Sequence, residues 1–216
     1  MRLFARRFAL AAFITCVFAE TTAFASSFSF TGTFTTDDQL QEISFSLASL
    51  ETITTVTYGY AGGTNQAGTL IPEGGFDPYL VIFDSAGNYV QSDDNGTCGQ
   101  VPMDSVTGAC FDSYISQPLA PGNYTLVLSE SPNAPVDNQL ADGYTETGSG
   151  DFTGGFYGCT DPAFCDANGY NRSGNWAVDI DNVTTAGTSP VPEPVTLPVA
   201  GAALVAISIW RRRSAV

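Results

Sequence analysis

The sequence predicts an all-β protein: an antiparallel two-sheet β-sandwich, jelly-roll-like, flanked by an N-terminal signal peptide and one C-terminal transmembrane helix. Three observations carry this reading. Apolar residues recur with a period of two in one segment after another between residues 26 and 190. Gly, Asn, Asp or Pro stands at every break between those segments. No stretch of the same interval shows the 3.6-residue period of an amphipathic helix. Eight or nine short strands at this spacing pack as two layers.

Residues 1–25 read as a secretory signal peptide. Arg2, Arg6 and Arg7 supply the positive start, residues 8–18 the apolar stretch, and Ala23-Phe24-Ala25 the small residues that place the cut after Ala25. The Arg6-Arg7 pair could suggest twin-arginine export, but two arginines at such a start are more often ordinary charge, and the general secretory route is the default.

Residues 26–188 form the ectodomain, one domain by length and long enough to bury a core. Phe28, Phe30 and Phe34 alternate with Ser and Thr, as do Ile43, Phe45 and Leu47. Val56, Tyr58 and Tyr60, then Tyr124, Leu126 and Leu128, then Trp176, Val178 and Ile180 repeat the pattern. The run 79–83 is continuously apolar, as a central strand would be. Asp84-Ser85-Ala86-Gly87-Asn88 reads as a hairpin turn with Gly87 at positive φ, and Pro121-Gly122 as a turn feeding the next strand. The Gly-rich stretches 61–75 and 131–155 read as long loops, expected to be the least ordered parts.

The charge of this domain is extreme. It holds twenty acidic residues against Arg172, near −19, and the whole chain has no histidine and no lysine. Such a surface repels nucleic acid and anionic lipid, stays soluble, and attracts divalent cations. The composition also removes most catalytic arrangements. Without histidine there is no Ser-His-Asp or Cys-His site, and without lysine no Ser-Lys dyad or Schiff base. No nucleophile elbow or phosphate loop is present, and no carboxylate pair is marked out for glycoside hydrolysis. The expectation is a protein that is not an enzyme.

Four cysteines remain after the signal peptide: Cys98, Cys110, Cys159 and Cys165. They allow three connectivities. The local one, Cys98–Cys110 with Cys159–Cys165, is expected, because each bridge would pin a Gly/Asp-rich loop with little apolar content. Their spacing does not suit zinc. Asp77, Asp93, Asp94, Asn95 and Asp112 fall near one end of the expected sandwich and form a candidate calcium set, calcium being an ion that takes six to eight oxygens. Asp and Asn also cap turns with no metal at all. Tyr58, Tyr60, Tyr144, Tyr157 and Tyr170 are candidates for an exposed glycan platform, whereas Trp176 alternates with core residues and is expected inside.

Residues 189–216 form a sorting and anchor segment: the motif at 191–194, an apolar membrane helix at 195–210, and Arg211, Arg212 and Arg213 after it. The prolines keep the motif extended. The apolar run would rise about 24 Å as a helix, short of a bilayer core of about 30 Å, and the arginines hold its end on the cytoplasmic side.

This order of parts, Pro192-Glu193-Pro194, a membrane segment and terminal arginines, resembles the PEP-CTERM sorting signal of Gram-negative bacteria. The resemblance implies an exosortase-type enzyme as a partner that removes the tail, and a role in an exopolysaccharide-rich biofilm matrix. Residues 75–130 resemble the bacterial pre-peptidase C-terminal domain and related secreted β-sandwich domains. The likeness rests on Gly75-Phe76-Asp77-Pro78-Tyr79-Leu80, the Asp93-Asp94-Asn95-Gly96 loop and Leu119-Ala120-Pro121-Gly122-Asn123-Tyr124. The functional expectation is an exported, non-catalytic cell-surface or matrix protein, membrane-anchored and then released to the surface. The alternative is a calcium-dependent glycan-binding module.

Overall fold

A computed structural model describes residues 25–188, in which two antiparallel sheets face each other across one apolar core. In chain order the strands are β1 (Ser26–Thr33), β2 (Gln41–Leu47), β3 (Glu51–Thr57), β4 (Gly63–Thr64), β5 (Leu70–Ile71) and β6 (Pro78–Asp84). They continue with β7 (Tyr89–Asp93), β8 (Tyr114–Leu119), β9 (Gly122–Glu130), β10 (Asn175–Val183) and β11 (Thr185–Thr188). One sheet has the order β1-β10-β3-β8 and the other β11-β2-β9-β6-β7, while β4 and β5 make a separate small hairpin. The residues before Ala25 and after Thr188, which include most of the expected signal peptide and all of the sorting and anchor segment, lie outside the described residues. Among the described residues no helix is long and apolar enough to cross a membrane.

The alternation read from the sequence produces these faces. Ile43, Phe45 and Leu47 of β2, Leu126 and Leu128 of β9, and Leu80 and Ile82 of β6 point inward from one sheet. Ile53 of β3, Ile115 and Leu119 of β8, and Val178 and Ile180 of β10 meet them from the other. Each fully buried Leu or Ile contributes about 1.5–3 kcal/mol. Trp176 lies in the same core, packed against Phe34, which stacks on Phe76 at 5.2 Å.

The expectation of two long Gly-rich loops without structure of their own is corrected. Residues 61–75 contain the β4–β5 hairpin, closed by the Asn65 side chain accepting from Thr69 N at 2.8 Å. The segment from Ser131 onward folds down over the outer face of the second sheet, where Tyr144 and Leu140 cover Val81, Phe83 and Val127. Its backbone pairs with the β6–β7 hairpin through Tyr89 N to Asn138 O and Leu140 N to Gly87 O. That cover is why β6 is apolar on both faces. The segment also holds the five-residue α1 (Thr153–Tyr157), which is too short to show an amphipathic period in sequence.

The registers put every long connection at one end. The ends of β1, β3, β7 and β9 and the starts of β2, β6, β8 and β10 lie together there. At the opposite end short turns join the strands, including the 84–88 hairpin, in which Gly87 takes φ 80° and Asp84 accepts from the Ala86 and Asn88 amides.

Candidate functional site

The long-loop end is built around Arg172, the only basic side chain of the ectodomain. Its guanidinium reaches Asp104 at 3.1 Å and Asp166 at 3.4 Å, and lies 3.7 Å over the ring of Tyr60. Tyr60 in turn donates its hydroxyl to Asp166 at 2.8 Å. Asp104 stands inside the loop closed by Cys98–Cys110, and Asp166 follows Cys165 of the loop closed by Cys159–Cys165. One cation therefore joins both disulfide loops to the segment after β3. The two bridges are the expected local ones, and they place the folded domain in an oxidising, extracytoplasmic compartment.

Around this node the buried acids divide into two kinds. Some are saturated with donors. Asp37 accepts from the Phe152, Thr153 and Phe164 amides and, at very short range, from the Thr153 hydroxyl. Asp112 accepts from the Thr57 hydroxyl and the Tyr60 and Ala61 amides. Asp104 accepts from Thr107 and Arg172; burial pushes its carboxyl up, but these donors hold it below the ordinary carboxylate range.

The others have no such donors. Glu130 is wholly buried, and neither carboxylate oxygen has a hydrogen-bond partner. Asp77 is buried with Oδ1 unpartnered. The register pairs Pro78 with Glu130, and Ser131 N donates to Asp77 O at 2.8 Å, so Asp77 stands one residue out of phase with Glu130 along the strands. Asp94 leaves Oδ1 unpartnered and takes a hydrogen bond from the Ser131 side chain. Burial, then Asp94, Asp166 and Asp112, push the Asp77 carboxyl well up. Burial, then Asp37, Asp77, Asp166 and Asp151, do the same to Glu130. Tyr157 of α1 faces this group, and burial with the charges of Asp77, Asp94 and Glu130 raises its phenol.

The calcium set expected from sequence is not assembled. Among the described residues no three or more acidic, cysteine or histidine side chains are gathered to hold a metal ion. Asp77 and Asp94 do neighbour each other, but Asp93 is turned to the Tyr114 amide at 2.8 Å, Asn95 is exposed, and the Asp112 carboxylate is occupied by three donors. Glu130 was not among the expected residues, although the period-2 pattern puts it on the inward face with Leu126 and Leu128. The expected tyrosine platform is corrected too: Tyr60 and Tyr144 are buried, Tyr58 and Tyr157 half-buried, and Tyr170 alone of the five is exposed. Pro192, Glu193, Pro194 and Arg211 to Arg213 lie outside the described residues.

A shallow groove of about 490 Å³ lies toward the opposite end, on the second sheet, lined by Ser44, Ser46, Asp84, Asn123, Thr125 and Thr185 with Tyr124 at its side. No family model matches the chain, and no curated protein matches it.

Proposed function

We propose that the protein is an exported, non-catalytic component of the cell surface or extracellular matrix, delivered through the inner membrane of a Gram-negative cell and sorted by an exosortase-type enzyme acting at Pro192-Glu193-Pro194. The observation that carries this is where the fold closes. β1 starts at Ser26, directly after the expected cut, and it opens the first sheet. β1 is an edge strand of its sheet, as β11 is of the other. The strand orders, with chain connections that alternate between sheets except at the β6–β7 hairpin, support reading the domain as a jelly roll with β11 added at one edge. The membrane helix at 195–210 then serves as a transient anchor.

The test replaces Pro192 and Glu193 with alanine in the native host and follows the protein by fractionation. Accumulation of the uncut chain in the membrane fraction supports sorting through the motif. Unchanged release to the surface overturns it.

A second reading, a glycan-binding module, is favoured by the groove of hydroxyl, amide and carboxylate groups beside Tyr124. That groove lies away from the acidic loop end, so calcium would not bridge sugar to protein there. Loss of polysaccharide retention on Asn123→Ala and Ser46→Ala would support this reading, and unaltered retention would remove it.

A further inference from the structure

Taking the glycan-binding reading as its basis, we propose that the groove beside Tyr124 takes a polysaccharide with free amino groups, a polymer of unacetylated amino sugars, and that Asp84 is the carboxylate that selects it.

Strand register builds the floor of the groove. Ser46 pairs with Asn123 on one side and with Thr185 on the other, and Ser44 pairs with Thr125. Alternation turns Ser44, Ser46, Asn123 and Thr125 away from the core, to which Ile43, Phe45, Leu47 and Leu126 belong. The Ser46 and Thr185 hydroxyls meet each other at 2.7 Å, and each keeps the capacity for a further hydrogen bond. The segment after Ser131 covers the neighbouring part of this face and reaches the groove with Leu140. The 84–88 hairpin bounds it with Asp84, Ser85 and Gly87. Tyr124 is held stiff at its side, stacked on Phe45 at 5.3 Å and donating its hydroxyl to Ala120 O at 2.9 Å. Hydroxyls, an amide and a fixed aromatic ring are the groups that hold a sugar.

Charge narrows the sugar. Asp84 is the one charged side chain that lines the groove. Its Oδ1 accepts from the Ala86 and Asn88 amides at 2.9 Å each, and its Oδ2 from the Asn88 side chain at 2.9 Å. The Asn88 side chain, then the backbone amides, hold the carboxyl below the ordinary range, so it stays ionised. Oδ2 meets a single donor and retains a lone pair for an ammonium group. A uronate or sulfate finds no partner here. Arg172 is the only basic residue among the described residues, its side chain is 5% exposed, and it stands at the other end of the sandwich. The acidic field of the ectodomain repels such polymers and draws a cationic one. A neutral glycan would use the hydroxyl floor and leave Asp84 idle.

The experiment uses the full chain in mild detergent with disulfides intact. It measures, by calorimetry at about pH 6, where amines are charged, binding of a glucosamine oligomer, its N-acetylated counterpart and a uronate oligomer of equal length. The glucosamine oligomer should bind most tightly, and raising the salt to about 1 M should remove its advantage over the acetylated one. Asp84→Asn keeps an acceptor for the turn amides and should melt with the wild type, while weakening the glucosamine oligomer about two- to fivefold. Asp151→Asn, exposed and away from the groove, should leave that affinity unchanged. Thr125→Lys puts a cation in the groove and should reverse the preference toward the uronate oligomer. Equal losses in Asp84→Asn and Asp151→Asn overturn the proposal, since attraction to the whole acidic surface would then be the cause. Equal binding of the charged and acetylated oligomers, or preference for the uronate by the wild type, also overturns it and leaves the glycan-binding reading in place. Binding of none of the three removes both.

Discussion

Arg172→Ala should be among the most damaging single changes to this domain. The guanidinium sits 3.1 Å from Asp104 and 3.4 Å from Asp166, and all three side chains are almost wholly buried. Removing one partner from such a group strands the remaining charges, which costs about 3–5 kcal/mol. Loss of the stacking over Tyr60, at 3.7 Å, adds about 0.5–2 kcal/mol. For a domain of this size each kcal/mol lowers the melting temperature by about 2–4 °C, so a fall of about 7–28 °C is expected. Urea unfolding with the disulfides intact measures it, the midpoint moving while the slope stays. The diagnostic is the double variant. If stranded charge is the cause, Asp104→Asn added to Arg172→Ala should restore about 1–2 kcal/mol. Arg172→Lys should fall between, since an ammonium cannot address both carboxylates and the ring as the planar fork does. A loss under 1 kcal/mol, or an Asp104→Asn effect that simply adds to it, refutes this reasoning.

Three further outcomes follow from the same geometry. Replacing Cys98 and Cys110 with serine opens a twelve-residue loop and should cost about 3 kcal/mol, against about 2 for the six-residue Cys159–Cys165 loop; denaturation of each double variant checks the order. Gly174→Ala would set a Cβ 2.1 Å from the Phe34 carbonyl oxygen and 2.8 Å from the Phe164 ring, so a loss of at least about 2 kcal/mol is expected in the same assay. Stability, read from urea midpoints at stepped pH, should fall as pH rises above the ordinary carboxylate range of about 4. Asp77 and Glu130 titrate above their unfolded values, so the folded state binds more protons in that window and loses them as pH climbs. Asp38 and Asp104, shifted down, act in the opposite sense only below about pH 4.

The layers of this fold were legible because alternation is local. β1, β2, β9 and β10 can be read from residues two apart, and their inward faces meet in the core, whereas the alternation at Val56, Tyr58 and Tyr60 runs past β3, which ends at Thr57 and enters the core through Ile53. β8, with Pro118 in an edge strand, and the two-residue β4 and β5 carry too little pattern to read. The loops were misjudged for a different reason. Whether 131–144 floats or covers the sheet depends on Val81, Phe83 and Val127 across the fold, and only their excess apolarity hinted at a cover. Site residues were hardest. Asp112 and Glu130 are both acids beside strands, and only tertiary contact shows that one meets three donors and the other none. The inward phase of β9 was nevertheless a usable signal for Glu130.

The most direct test of the export account is the intact mass of the protein recovered from the surface fraction of its own host. The account predicts a chain that starts at Ser26, ends near Pro194, and is four hydrogens lighter than its reduced form through two disulfides. A mature chain that still carries Arg211, Arg212 and Arg213 would contradict it and leave a plain membrane-anchored protein in its place.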